Sequence, residues 1–466
     1  MRADEYTSYD ATGLAELIAA GEVSPRSVCE VAIAIIEAHN QRINAVVETC
    51  FDEALASIDT SPVGPLRGVP WLVKDFNTSV AGLHDTNGSR ALRHVVAPTD
   101  RELLTRHRQA GLVVLGKTNT PEFGMNVCTN PSLFGPTHHP GGSDRSVGGS
   151  SGGSAAAVSV GMVPAAHATD SGGSIRIPAS NCGLFGLKPS RNRVPLGNDA
   201  SEGLGGLSTC HAVTNTVRDS ALLLDLTHGP LRGDPYGPPG PLGRFRDAVN
   251  ANPGRLRVGV ITSGFAGEVV HSDCIAAAET AASLLEGMGH LVEPVEAPID
   301  GDALRTALDV IFSTNIAMVA AALPATTSAD DLEPATRGAI ERAQTLSAAD
   351  YARALHIARQ IGAQLGVFFD DHDLLLTPTL AHPARPIGHH DPETAVWSDY
   401  LDRMLADIAF TPLFNVSGGP AASVPMSTCT DGFPIGVQLG AALGAEELLL
   451  SVARQIELER PWRVGG

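Results

Sequence analysis

Two glycine- and serine-rich stretches and one lysine carry the chemistry this sequence can offer. Residues 141–154 read GGSDRSVGGSSGGS, and residues 169–178 read TDSGGSIRIP. In the second stretch the consecutive amides of Ser171, Gly172, Gly173 and Ser174 can converge on one cavity, because glycine admits the turn without a side chain in the way. Such a nest suits a carbonyl oxygen that becomes an oxyanion. Ser174, at its end, is a natural nucleophile that then needs a base, and Asp170, Arg176 and the lysines are the candidates. Lys74 stands in GVPWLVKDFN, flanked by Trp71, Leu72 and Val73 on a strand-like run. Desolvation there lowers a lysine's pKa and lets the neutral amine act as a general base. The competing reading is an edge-strand lysine whose head snorkels to solvent or pairs with Asp75.

Other readings of these residues stand beside that one. Six glycines and five serines fill 11 of the 14 positions at 141–154, which is the composition of a flexible tether, yet the stretch runs straight into the helix-prone SAAAVSVG. The segment GGSSG also satisfies G-x-S-x-G, the nucleophile elbow, but that motif requires an apolar strand before it. HHPGGSDRSV is no such strand. His138–His139 and His389–His390–Asp391 offer no H-E-x-x-H or spaced Cys/His cluster and read as solvent-exposed loop histidines, so no metal site is expected.

Elements with two periodicities must hold these residues. SPRSVCEVAIAIIEAHNQRI (24–43) opens on a Ser-Pro cap signal and repeats apolar residues at helical spacing. GVPWLVKD and GLVVLGKTN then alternate with helical stretches such as TDRELLTRHRQAG, which argues an α/β layered architecture. The Pro/Gly-rich 228–243 is the best linker candidate. Beyond it, LRVGVI, the helix near 275–289 and HLVEPV form a strand–helix–strand unit that pattern alone assigns neither to a separate domain nor to the first sheet. Residues 301–368 are almost continuously helical in composition; 373–379, 421–425 and 435–440 read as strands, and 445–458 as a final helix.

Composition excludes several classes. The 466 residues include 51 acidic against 32 basic side chains, a net charge of −19, with no run of Lys or Arg, so the footprint of a nucleic-acid binder is missing. At 43% hydrophobic and 18% charged, the chain is too apolar for disorder. A polar MRADEYTSYD start and no run of 18 apolar residues predict a cytoplasmic protein without a membrane segment. Seven scattered cysteines, none in C-x-x-C, read as reduced structural thiols.

In sum these residues resemble a known family. GGSSGGSAAAVSVG followed by TDSGGSIRIPASNCGLFGLKPS resembles the signature of the amidase signature hydrolases. LRGVPWLVKD, GKTNTPEFG, NPSLFGPTHHP, FNVSGGPAASVP and DGFPIGVQLG fit the family in order, so the likeness spans about residues 12 to 458. The resemblance implies an α/β fold: one large mixed twisted sheet with helices on both faces, forming a single domain over 1–466. Within it lie a helical N-terminal part (1–60), a signature core (61–230) and a second part (244–466) with a helical substrate-side region at 301–370 and closing strands. It also implies a Ser-cisSer-Lys triad of Ser174 as nucleophile, Ser150 as bridging serine on a cis peptide, and Lys74 as base. The amides of Ser171, Gly172, Gly173 and Ser174 match the oxyanion hole, Asp170 and Arg176 a supporting pair, and Thr169 a supporting hydroxyl. Position 171, often apolar or small in the family, is Ser here.

The substrate pocket implied is Phe123, Gly124, Met125, Cys128 and Thr129, with apolar residues of 301–325 and 380–415. That lining suggests neutral aliphatic or aryl amides, with carbamates and esters open to the same acyl-enzyme route and no cofactor. SIRIPAS, GLKPSRNRVPLG and TVRDSALLLD are most similar to bacterial amidases of the cyclic-amide (nylon-oligomer) hydrolase and aryl-acylamidase kind. A monomer or homodimer is expected; the alternative is a glutaminase subunit of a tRNA-dependent amidotransferase.

Overall fold

Strands buried on both faces need apolar runs rather than alternation, and the short apolar runs of this chain become such strands. The computed structural model describes residues 1–197 and 202–462; 198–201 and 463–466 of the expected domain lie outside them. The strands are β1 (Val46–Thr49), β2 (Pro70–Lys74), β3 (Val113–Thr118), β4 (His138–His139), β5 (Ser143–Ser146), β6 (Ala165–Asp170), β7 (Phe185–Lys188), β8 (Thr209–Thr214), β9 (Arg257–Val260), β10 (Leu291–Pro294), β11 (Leu374–Pro378), β12 (Ala421–Thr428) and β13 (Pro434–Gly440). Eleven of them make one sheet in the order β1-β3-β2-β6-β8-β7-β12-β13-β11-β9-β10, and β4 pairs with β5 in a small ribbon. The sheet is mixed: β2 runs parallel to β3 and β6, while β6, β8, β7, β12, β13 and β11 alternate antiparallel.

Two features settle what pattern left open or misread. The strand–helix–strand unit after residue 244 extends the same sheet, because β9 pairs parallel with β11 from Val258↔Leu374 onward. The N-terminal part is not all helical: Val46–Thr49 forms an antiparallel edge strand on β3. Its neighbour, the helix Pro25–Ile43, starts as its sequence predicts, with Ser24 Oγ accepting from the Ser27 amide at 3.1 Å. It stops at Asn44, whose left-handed conformation forms the C-cap.

The helical stretch after 301 divides into Gly301–Ala321, Pro334–Gln344 and Ala348–Asp371. Gly301–Ala321 is apolar and long enough to cross a membrane by composition, and half of that window is buried. Its apolar face joins a core that includes Phe123, Ile177, Phe312, Tyr400 and Met404. That core lies against the glycine-rich segments, and the candidate cleft opens between them.

Candidate active site

Lys74 ends β2, which lies inside the sheet between β3 and β6, so the edge-strand reading fails. Its side chain is 0% exposed. Asp75 does not take it, being held by Lys117 at 2.6 Å. Its Nζ meets three hydroxyls: Ser150 Oγ at 2.7 Å, Thr169 Oγ1 at 2.8 Å and Ser151 Oγ at 3.0 Å. Burial without a carboxylate contact pulls its pKa down to about 7. Ser151 Oγ in turn donates to Thr169 O (3.2 Å), so it faces Lys74 as an acceptor. A neutral amine has one lone pair left, and Ser150 holds the shortest contact with it.

The Gly149–Ser150 peptide is cis. Gly149 is required by a close approach, since a Cβ there would stand 2.6 Å from the carbonyl oxygen of Asn126. Ser150 is 2% exposed. The Ser151 amide donates to the Ser174 carbonyl at 3.3 Å, which fastens the two glycine-rich segments together. Ser174 itself is half-buried and lines the cleft beside Ser150.

The loop after β6 winds around one carboxylate. Asp170 Oδ1 accepts from the Gly173 amide (2.7 Å), and Asp170 Oδ2 accepts from the Ile175 amide (3.1 Å). Arg176 closes on both oxygens at 2.8 and 2.9 Å. Burial alone would raise the Asp170 pKa, but the Arg176 guanidinium overrides it and holds the carboxylate well below its usual range. One expectation changes: the Gly173 N–H donates to Asp170, while Ser171, Gly172 and Ser174 line the cleft. Gly173 has φ +132°, and a Cβ there would lie 2.4 Å from Thr411 Oγ1.

Sequence reasoning missed the residues that hold this loop from the other half of the chain. Asn415 Nδ2 donates to Asp170 Oδ1 (2.8 Å), and Arg176 donates to the Thr411 carbonyl (2.8 Å), Gln438 Oε1 (2.6 Å) and Asn415 Oδ1 (2.7 Å). Thr411 Oγ1 donates to the Gly172 carbonyl at 2.6 Å. The motif blocks FNVSGG and GVQLG were the signal that could have found Asn415 and Gln438. The unusual Ser171 hydroxyl bonds Ser208 Oγ at 2.6 Å.

The cleft is lined by Phe123, Gly124 and Met125, and by Phe312, Met404 and Ile408 from the two helical regions. Phe76, Val127, Ile177 and Leu204 complete its apolar wall and were not foreseen. Phe76 also lies under Lys74, 5.4 Å from Nζ to the ring centre. Cys128 and Thr129 stand behind the wall. Cys128 Sγ accepts from Ser146, and Thr129 Oγ1 bonds the Gly148 carbonyl (2.9 Å) and the Gly152 amide (3.1 Å), so both support the backbone on either side of Ser150.

Two histidines expected in exposed loops are buried. His139 Nε2 meets the Asn181 carbonyl at 2.9 Å, and His390 Nε2 lies 3.0 Å from Asp407. His389, His390 and Asp407 approach one another closely enough to share an ion. Arg385 already grips both oxygens of Asp407 at 2.8 and 3.0 Å, so its charge is balanced without one.

Comparison with known proteins follows the same lines. The amidase family profile matches residues 27–450. A 6-aminohexanoate-cyclic-dimer hydrolase from Paenarthrobacter ureafaciens is 37% identical over 471 residues, covering 97% of this chain and 95% of that protein. A solved structure of 6-aminohexanoate cyclic dimer hydrolase complexed with substrate superposes with TM-score 0.91 and 35% identity over 98% of each chain. A bacterial aryl acylamidase of the amidase signature enzymes superposes with TM-score 0.88 and 29% identity, covering 98% of this chain and 97% of that one.

Proposed function

The chain belongs to the amidase signature family and is a hydrolase of amide bonds; from that premise we propose that it cleaves neutral aliphatic or aryl amides through an acyl-enzyme on Ser174. Lys74, in its neutral form, takes a proton from Ser150 as Ser150 takes one from Ser174. The Ser174 oxygen attacks the carbonyl carbon. The oxyanion is received by the amides of Ser171, Gly172 and Ser174. When the C–N bond breaks, the Ser150 hydroxyl protonates the departing amine and Lys74 returns its proton to Ser150. Water then enters by the same relay in reverse, and the acid leaves.

The observation that carries this reading is Lys74: a fully buried amine with three hydroxyl contacts and, among the described residues, no carboxylate contact, 2.7 Å from the serine on the cis peptide. Among the described residues the cleft wall has no charged side chain, which suits a neutral acyl chain or aryl ring. The same wall lacks the charges needed for the α-amino and α-carboxylate groups of glutamine, so nothing in it favours the glutaminase alternative. Carbamates and esters with tolerable leaving groups belong to the same route. Purified protein should hydrolyse a p-nitroanilide without partner or cofactor, and Ser174→Ala should abolish that turnover. An unimpaired Ser174→Ala protein would overturn the assignment.

A further inference from the structure

Behind the apolar wall of the cleft, two histidines and a carboxylate converge. The chain turns at 386–390, where the His389 amide donates to the Pro386 carbonyl (3.1 Å) and Gly388 takes φ +93°. Neighbouring side chains on a strand point to opposite faces, but this turn brings both imidazoles to one carboxylate. Asp407 Oδ2 lies 3.0 Å from His390 Nε2 and 3.6 Å from His389 Nε2, and the two rings stand at 88° to each other. One ligand atom from each of the three residues falls within 4.8 Å of the others.

The contact between His390 and Asp407 is not a hydrogen bond. His390 is 4% exposed, and its Nε2 has no hydrogen-bond partner among the described residues although the carboxylate is within reach. A buried imidazole nitrogen placed in this way costs free energy unless another partner uses it. Arg385 does not exhaust the carboxylate either. It makes two contacts with Oδ1 (2.8 and 3.1 Å) and one with Oδ2 (3.0 Å), so Oδ2 keeps a lone pair toward the histidines. His382 Nδ1 stands 2.9 Å from the other oxygen, Oδ1, and outside the group of three.

Spacing then selects the partner. A tetrahedral ion with ligand bonds of about 2.0–2.2 Å separates its ligand atoms by about 3.3–3.6 Å. The distances of 3.0 and 3.6 Å from Asp407 Oδ2 approach that edge. Two imidazoles and one carboxylate are donors for zinc and its first-row neighbours rather than for magnesium or calcium. We propose that His389, His390 and Asp407 form a site for a divalent transition-metal ion, zinc in type, with the fourth position left to water. The ion cross-links the turn to the end of the helix Trp397–Asp407. Both partners reach the cleft: Met404 of that helix and Ile408 after it line it, and the His390 carbonyl accepts from Nδ2 of Asn126 (2.8 Å), which also lines it. Arg385 and Arg403, which donates to the His389 carbonyl (3.3 Å), oppose a further cation and set the affinity below that of a structural zinc site.

The test titrates Zn²⁺ into chelator-stripped full-length protein against a chromophoric chelator. One equivalent should bind with a Kd of about 10 μM or tighter, undisturbed by millimolar Mg²⁺. At about 100 times that Kd the thermal unfolding midpoint should rise by about 2–3 °C. His389→Ala and His390→Gln should each weaken binding by about 100-fold or more and remove the shift. His389 is half-buried, so its variant carries the test if the buried His390→Gln protein does not fold. Co²⁺ in the same site should give four-coordinate visible absorption without a thiolate charge-transfer band, which separates this site from the cysteines. Absence of the one-equivalent binding, a thiolate band, or binding that His389→Ala leaves unchanged overturns the site.

Discussion

Lys74 and Lys117 lie on adjacent strands one register step apart, both fully buried, and they are held in opposite protonation tendencies. The β2–β3 register sets Val73 against Lys117 and Lys74 against Thr118. Lys117 Nζ has Asp75 at 2.6 Å and Asp85 at 2.8 Å, and these carboxylates outweigh burial to raise its pKa. Lys74 meets hydroxyls only, so burial prevails and its pKa falls to about 7. The fold thus separates a structural cation from the proposed proton acceptor by supplying carboxylates to one and withholding them from the other.

The pH profile follows from that separation. A base works deprotonated, so kcat/KM should rise about tenfold per pH unit below 7 and level off above it. The check is a kcat/KM profile on an uncharged anilide across pH 5 to 9. Lys74→Met should remain folded by circular dichroism and lose about 10²–10⁴ in rate at pH 8. A wild-type profile flat from 5 to 9 would contradict Lys74 as the base.

Ser150 and Ser174 should separate under a covalent probe. Ser174→Ala removes the proposed attacking oxygen, so a fluorophosphonate should not label it, and turnover should fall by more than about 10³-fold. Ser150→Ala keeps the nucleophile but breaks the link to Lys74. Its labelling should be slow yet detectable by intact-mass spectrometry, still at Ser174. Equal labelling of Ser174→Ala and wild type would assign the attack to another residue.

How much of this was legible depends on whether chemistry or geometry selected the residue. Lys74, Ser150 and Ser174 stand in segments whose residue types few folds require, so the motif exposes them. Burial of Lys74 was not legible, because an apolar run ending in Lys fits an edge strand as well as a central one; only the order β3-β2-β6 decides it. The direction of the Gly173 amide rests on one dihedral, φ +132°, which a glycine's identity does not fix. Thr411, Asn415 and Gln438 are common residue types, and they meet Arg176 across sequence separations of 235, 239 and 262 residues. No local pattern contains that information. Phe76, Ile177 and Leu204 in the cleft wall were hidden for the same reason: they come from three separate segments of the chain.

The Asp170–Arg176 pair predicts a large stability effect. Both side chains are 0% exposed, and the guanidinium has no other anion in contact among the described residues. Asp170→Asn keeps the shape but leaves a buried cation without its counter-charge. Breaking such a pair costs about 3–5 kcal/mol. Urea unfolding should show that loss as a lower midpoint, and a change under about 1 kcal/mol would mean the pair is solvated in solution.

Thr411 should act on turnover without touching the substrate or the proton relay. Its hydroxyl donates to the Gly172 carbonyl at 2.6 Å, and its own carbonyl accepts from Arg176 at 2.8 Å. It therefore ties the carbonyl side of the peptide preceding Gly173 to the helix Pro412–Ser417, whose Asn415 holds Asp170. Thr411→Val keeps the volume and removes the donor, so the Gly172 carbonyl loses its partner and the loop is free to rotate. The amides proposed to receive the oxyanion would then be misplaced by a fraction of an ångström, and effects of that kind reach about tenfold to a hundredfold. Because the oxyanion forms only after attack, the loss should fall on kcat with KM nearly unchanged. The pH limb near 7 should stay in place, since Lys74 and its hydroxyl partners lie on other elements. Thr411→Ser restores the donor and should recover most of kcat. A Thr411→Val enzyme with raised KM and normal kcat would assign the residue to substrate binding, and equal defects in the Ser and Val variants would reduce it to packing.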